Sequence, residues 1–153
     1  MIKLVALHKH WCIADAVRVV VGAPTMKPDQ EAEAIKRYGQ EFALLGENAS
    51  MVAGLSVWYA LLYVVIEGYR DLKQEFGPLD ALLKREEYVE LLRLFRNATF
   101  HYQENPLSEK ILGFLEKVDS ENWIHELNKQ FQTFFLSVLP INETLQRIEQ
   151  RNA

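Results

Sequence analysis

A chain of 153 residues with 49% hydrophobic and 25% charged residues has enough apolar surface for one compact core, and neither the charge blocks nor the apolar depletion of a disordered chain. Its net charge of −4 provides no global positive field for nucleic acid or anionic lipid, so any contact with RNA or phosphate must come from a local patch. A single cysteine, Cys12, excludes an intramolecular disulfide framework and points to a reducing compartment, with the cytoplasm as the expectation.

Seven glycines and five prolines punctuate the chain, and no window alternates strictly between apolar and polar residues, so helices are expected throughout. The first is expected over residues 2–21. Its apolar runs are interrupted by Lys3, His8, Lys9, His10, Asp15 and Arg18, which argues for a helix rather than a signal peptide. The loop GAPTMKP stops it at Gly22, Pro24 and Pro28. An amphipathic segment over 29–45 follows, and GENAS separates it from a long third helix over 50–76 that closes at Gly77-Pro78. Met51 to Ile66 is the one run that invites a membrane assignment, but its sixteen residues fall short of the roughly 20 a spanning helix needs. A buried helix and no membrane are therefore expected.

A short helix over 79–84 leads into one over 86–102, which ENPLS ends because the residue before a proline is pushed out of the helical region. Ser108 is placed to cap a short helix to Val118, and Asp119 or Ser120 a long one. Trp123, Leu127, Phe131, Phe134, Phe135 and Val138 keep a helical period along it, and Pro140 breaks it before a polar terminal helix. The whole reads as one all-α domain over 1–153, an antiparallel up-and-down bundle built on about four to six helices.

Within this plan RLFRNATFHYQ, residues 93–103, stands out. At about 100° per residue, Tyr88, Leu91, Leu92, Phe95, Thr99 and Tyr102 form one stripe of the helix, expected to face the core. Arg93, Arg96, Asn97, Phe100 and His101 fall on the other side, where Phe100 has no core to enter. On an ideal helix Arg96 and His101 diverge by about 140° and roughly 7.5 Å, so a site using both needs a second wall. A two-fold dimer that pairs this face with itself would supply one, through a seam of Val89, Arg93, Arg96 and Phe100. Ser56, Ala60, Tyr63, Glu67 and Arg70 make a second line on the third helix. Glu67 follows the apolar YVVI, where a lone carboxylate would be costly, so Arg96 or Arg93 is its expected partner.

Arg96-Asn97-Ala98-Thr99-Phe100-His101 resembles the Arg, four to six residues, His signature of the HEPN superfamily, in the form with Asn directly after Arg. YVVIEGYRDL and the aromatic-rich last long helix are similar to an uncharacterised bacterial family within it, so the likeness spans most of residues 50–137. It implies a helical bundle that dimerises with its Arg-His helices facing each other. It also implies a metal-independent ribonuclease of bacterial stress response, toxin–antitoxin pairing or phage defence. In such an enzyme the ribose 2′-OH attacks the adjacent phosphate, leaving a 2′,3′-cyclic phosphate and a 5′-OH, with no cofactor. On that resemblance His101 is the general base or acid, a task suited to the ordinary histidine pKa of about 6.5. Arg96 stabilises the charged transition state through its planar fork. Asn97 orients His101 or a phosphate, while Glu67 holds Arg96 or assists proton transfer, with Arg93 nearby. Some members only bind a nucleotide, RNA or a partner protein, and that reading stays open. In the toxins paired with a nucleotidyltransferase antitoxin a Tyr stands two residues after the His. Gln103 stands there in this chain, so a toxin role with an antitoxin protein would follow another route.

Other readings of the same residues are plainer. Glu67 also suits a structural salt bridge. His8, His10 and Cys12 lack a fourth ligand and are assigned to packing and surface, with no metal. Trp58, Tyr59 and Tyr63 are expected in the core rather than as stacking platforms for bases.

Overall fold

The computed structural model describes residues 1–21, 23, 27–105 and 108–152. The expected breaks at Gly22, Pro24 and Pro106 lie outside the described residues. Eight helices and no strand occur among those described: α1 Ile2–Val20, α2 Pro28–Tyr38, α3 Gln40–Asp71, α4 Gly77–Leu83, α5 Glu86–Phe100, α6 Glu109–Leu115, α7 Ser120–Val138 and α8 Ile141–Asn152. The fold is an all-α helical bundle; its eight described segments, with the expected short helices α4 and α6 among them, exceed the four to six helices expected for the bundle.

The second break differs from expectation. Gly39, at φ 89°, ends α2 and starts α3, whereas GENAS is helical throughout. A positive φ costs glycine little and most other residues much, so Gly39 takes the corner. Gly46 adopts ordinary helical geometry, at roughly 1 kcal/mol relative to alanine. The resulting α3 has 32 residues, about 48 Å at 1.5 Å per residue. It stops at Asp71, with Lys73 at φ 49°, five residues short of the expected end. Gly77-Pro78 therefore opens α4 instead of closing α3, since proline in a first turn forfeits no intrahelical hydrogen bond. Asp80 secures that opening by accepting from the Phe76 N–H at 3.0 Å and the Tyr69 hydroxyl at 2.8 Å.

The core lies where α1, α3, α5 and α7 converge. Leu7, Trp11 and Ala14 of α1 meet Trp58, Leu62, Val65 and Ile66 of α3, Leu92 and Phe95 of α5, and the aromatic column of α7. The Tyr69 ring packs edge-to-face with both Phe131 and Phe134, with centroids 5.8 and 5.3 Å away. Polar side chains fix the register: Trp11 Nε1 donates to Asn128 Oδ1 at 3.2 Å, and Asn128 Nδ2 donates to Asp15 Oδ1 at 2.9 Å. Partial burial opposes ionisation of Asp15, but hydrogen bonds from Arg18 and Asn128 hold its carboxyl below the ordinary range. Trp58, Tyr59 and Tyr63 are core residues.

Among the described residues one helix, over Leu44–Asp71, is long and apolar enough by length and composition to cross a membrane. The sixteen-residue count missed this because the apolar window extends beyond the uninterrupted run. From Trp58 onward its inward side is buried against the other helices.

Candidate functional site

Helix α5 runs antiparallel to α3. Arg70 near the end of α3 meets Glu86 at the start of α5, at 3.1 Å, and Tyr59 further up α3 packs on Phe95, at 5.7 Å between centroids. This pairing brings Arg96 to Glu67. Arg96 Nη2 donates to both carboxylate oxygens, at 2.9 and 2.8 Å, while Nη1 donates to Asn97 Oδ1 at 2.9 Å. The guanidinium carbon lies 5.3 Å from the Tyr63 ring centroid, a cation–π arrangement that adds to the fixation. Burial, and then the Glu67 charge, push the Tyr63 hydroxyl pKa up, so it stays protonated. Arg96 Nε is shielded from solvent and has no hydrogen-bond partner among the described residues.

Glu67 thus takes one of its two expected partners. The other, Arg93, is held by Glu90 one turn back on the same helix, through contacts of 2.8 and 2.6 Å. Those hydrogen bonds also keep the Glu90 carboxyl below its ordinary range.

The expected core stripe of α5 needs correction. Val89, assigned to a dimer seam, is 3% exposed and belongs to the monomer core, as does Ala98. Helix α5 is packed on one flank by α3 and on another by α6, so its buried arc is wider than a single stripe. Tyr102, assigned to the core, is 90% exposed because the helix ends at Phe100. Phe100 is 52% exposed, an apolar ring in solvent beside the polar cluster.

His101 departs from the helix altogether. Its backbone is extended, at φ −121° and ψ 142°, although its N–H still donates to the Asn97 carbonyl at 3.1 Å. The angular divergence computed for an ideal helix therefore does not apply. Its side chain is exposed, and among the described residues its ring makes no hydrogen bond to Arg96 or Asn97. Asn97 accordingly serves Arg96 rather than His101. Gln103 donates to the backbone carbonyls of His101 and Tyr102, 3.0 Å each, which steadies this extended exit.

Glu67 also lines a groove between α1 and α3 of about 530 Å³, together with Leu7, His10, Val64, Arg70 and Asp71. The groove continues along α1 past Lys3 in a second depression of about 370 Å³. Gly68 leaves room there for the tip of Leu7: a Cβ would come 2.5 Å from Leu7 Cδ1, so that side chain would have to shift. One turn after Leu7, His10 reaches the groove. Sequence reasoning had assigned His10 to packing and surface and passed over Asp71. The available signal was Gly68 inside an apolar helix, a mark of close packing.

Among the described residues no group of three His, Cys, Asp or Glu side chains is arranged to hold a metal. His8 and Cys12 do meet, with Sγ 3.4 Å from Nε2, but burial and the Asp15 charge push the thiol pKa up, against formation of a thiolate.

Comparison with protein-family models, curated proteins and solved structures found no match to the chain.

Proposed function

We propose that this chain is a HEPN-like helical bundle acting as a metal-independent endoribonuclease, and that the Arg96–Glu67–Asn97 assembly is its phosphate-activating centre. The observation that carries this reading is the fixation of Arg96. A salt bridge needed only for stability requires one carboxylate, yet this guanidinium is held by Glu67, Asn97 and the Tyr63 face together. Such preorganisation is what stabilisation of a pentacovalent phosphorane demands. His101, carried on an extended and exposed exit from α5, takes the 2′-OH proton as that oxygen attacks phosphorus. The P–O5′ bond breaks, and the departing oxygen is protonated to the 5′-OH. Asn97 positions Arg96, and Arg93 contributes positive charge beside it. The protein works as a bacterial, cytoplasmic homodimer with no membrane attachment, on single-stranded or looped RNA, and as a toxin it would be held by an antitoxin protein that does not act at Gln103.

The test is cleavage of total RNA in EDTA by wild type and His101→Ala, with mapping of the product ends. Wild type should leave cyclic phosphates, and the variant should lose at least about 10²-fold in rate. Equal activity of the two preparations would remove His101 as the catalyst. Assembly has its own check: Phe100→Glu places a charge on the exposed ring position and should shift dimer towards monomer in light scattering. An unchanged mass refutes a seam at Phe100.

A second reading, a HEPN module that binds nucleotide, RNA or a partner without cleaving, is favoured by one observation. Arg96 Nη2 is occupied by Glu67 inside the chain while the His101 ring makes no hydrogen bond to it. Under that reading wild type binds RNA in EDTA and leaves it intact.

A further inference from the structure

The groove between α1 and α3 shares Glu67 with the Arg96 centre, and its charges are unevenly compensated. Glu67 is neutralised by Arg96 at 2.8 Å, and Arg70 is engaged by Glu86 at 3.1 Å and the Leu83 carbonyl at 3.2 Å. Asp71 lines the same groove and has no hydrogen-bond or ion-pair partner among the described residues. The net free charge in the groove is therefore negative, which repels phosphate and suits a neutral group bearing N–H donors. Leu7 and Val64 give it apolar lining, and His10 supplies an imidazole. A volume of about 530 Å³ admits a purine ring with its ribose.

We propose that this groove is a nucleobase pocket, and that Asp71 selects guanine in it. An ionised carboxylate only accepts hydrogen bonds. Guanine alone among the four RNA bases presents two adjacent N–H donors, N1–H and N2–H, on one edge, which both oxygens of Asp71 can receive. His10 stacks on the base, as aromatic side chains do on unstacked single-stranded bases. Leu7 and Val64 cover its apolar face. Glu67 lines the pocket and accepts from Arg96, so the pocket and the Arg96 centre share one carboxylate. The pocket thus names the substrate feature read beside the phosphate centre, and in that respect it rests on the ribonuclease reading. Binding itself needs no cleavage. The second wall inferred from the sequence as a dimer partner is then supplied, for the base, by α1 of the same chain.

The experiment titrates wild type, Asp71→Asn and His10→Ala with guanosine 3′-monophosphate, adenosine 3′-monophosphate and inorganic phosphate, by calorimetry and by the histidine C2–H resonances. Wild type should bind the guanosine nucleotide at least tenfold more tightly than the adenosine one, with the His10 resonance shifting on binding. Asp71→Asn should abolish that preference while its circular dichroism matches wild type, as expected for an exposed side chain. His10→Ala should weaken both nucleotides about equally. Equal affinities for the two nucleotides, no binding of either, or a preference that survives Asp71→Asn overturns the proposal. RNA cleavage is measured on the same preparations. Guanine-selective binding without cleavage supports the pocket and removes the ribonuclease reading, whereas cleavage with no guanine preference removes the pocket alone.

Discussion

On the proposed ribonuclease function, replacing Arg96 by alanine is expected to lower RNA cleavage about 10³-fold while barely moving the melting temperature. The two effects separate because of where the partners sit. Glu67 is 43% exposed, so water takes over much of its solvation when Arg96 is removed, and a partly exposed pair contributes at most about 1 kcal/mol. The transition state has no such substitute, because a phosphorane's added charge needs a donor already in position. Lysine should not restore the rate. The guanidinium uses Nη2 for Glu67 and Nη1 for Asn97, and a single ammonium cannot reproduce that fork. Single-turnover rates with thermal melts of both variants provide the check. A loss below tenfold for Arg96→Ala, or full activity in Arg96→Lys, would show that the guanidinium is structural.

Phe131→Ala is expected to cost about 3–5 kcal/mol of a total stability on the order of 5–15 kcal/mol. Phe131 is fully buried and packs edge-to-face with Tyr69 at 5.8 Å and stacked with Phe135 at 6.3 Å between centroids. Removing it opens a cavity where α7 packs on α3, and rings confined on both sides cannot collapse into the space. Val138 on the same helix is 37% exposed, and its alanine variant should stay within about 0.5 kcal/mol of wild type. Urea denaturation distinguishes the two. A loss under about 1 kcal/mol in Phe131→Ala would mean that α7 does not carry the core.

Helix type and most helix positions were legible because apolar periodicity is a local property. Trp123, Leu127, Phe131 and Phe134 on α7 declare their buried side by spacing alone. Corners were less legible. Gly39 and Gly46 look alike as letters, and which one turns the chain depends on where a positive φ lets α2 fold back on α3. The end of α5 was misplaced for a related reason: a wheel extends indefinitely, whereas the chain leaves the helix at Phe100. That error carried Tyr102 into the expected core and gave His101 an angular position it does not have.

By itself the sequence determined an all-α chain, a polar cluster around Arg96 and Asn97 beside the exposed ring of Phe100, and Glu67 as a carboxylate in need of a cation. These follow from composition, spacing and the cost of an unpaired charge near apolar neighbours. Only the tertiary structure decided that Arg96 rather than Arg93 answers Glu67, that Val89 is core, and that His10 and Asp71 share a groove with Glu67. Each of those depends on which helices lie side by side and at what distance. The antiparallel register of α3 and α5 selects the ion pair, the packing of α5 among its neighbouring helices buries Val89, and the pairing of α1 with α3 brings His10 and Asp71 to one groove.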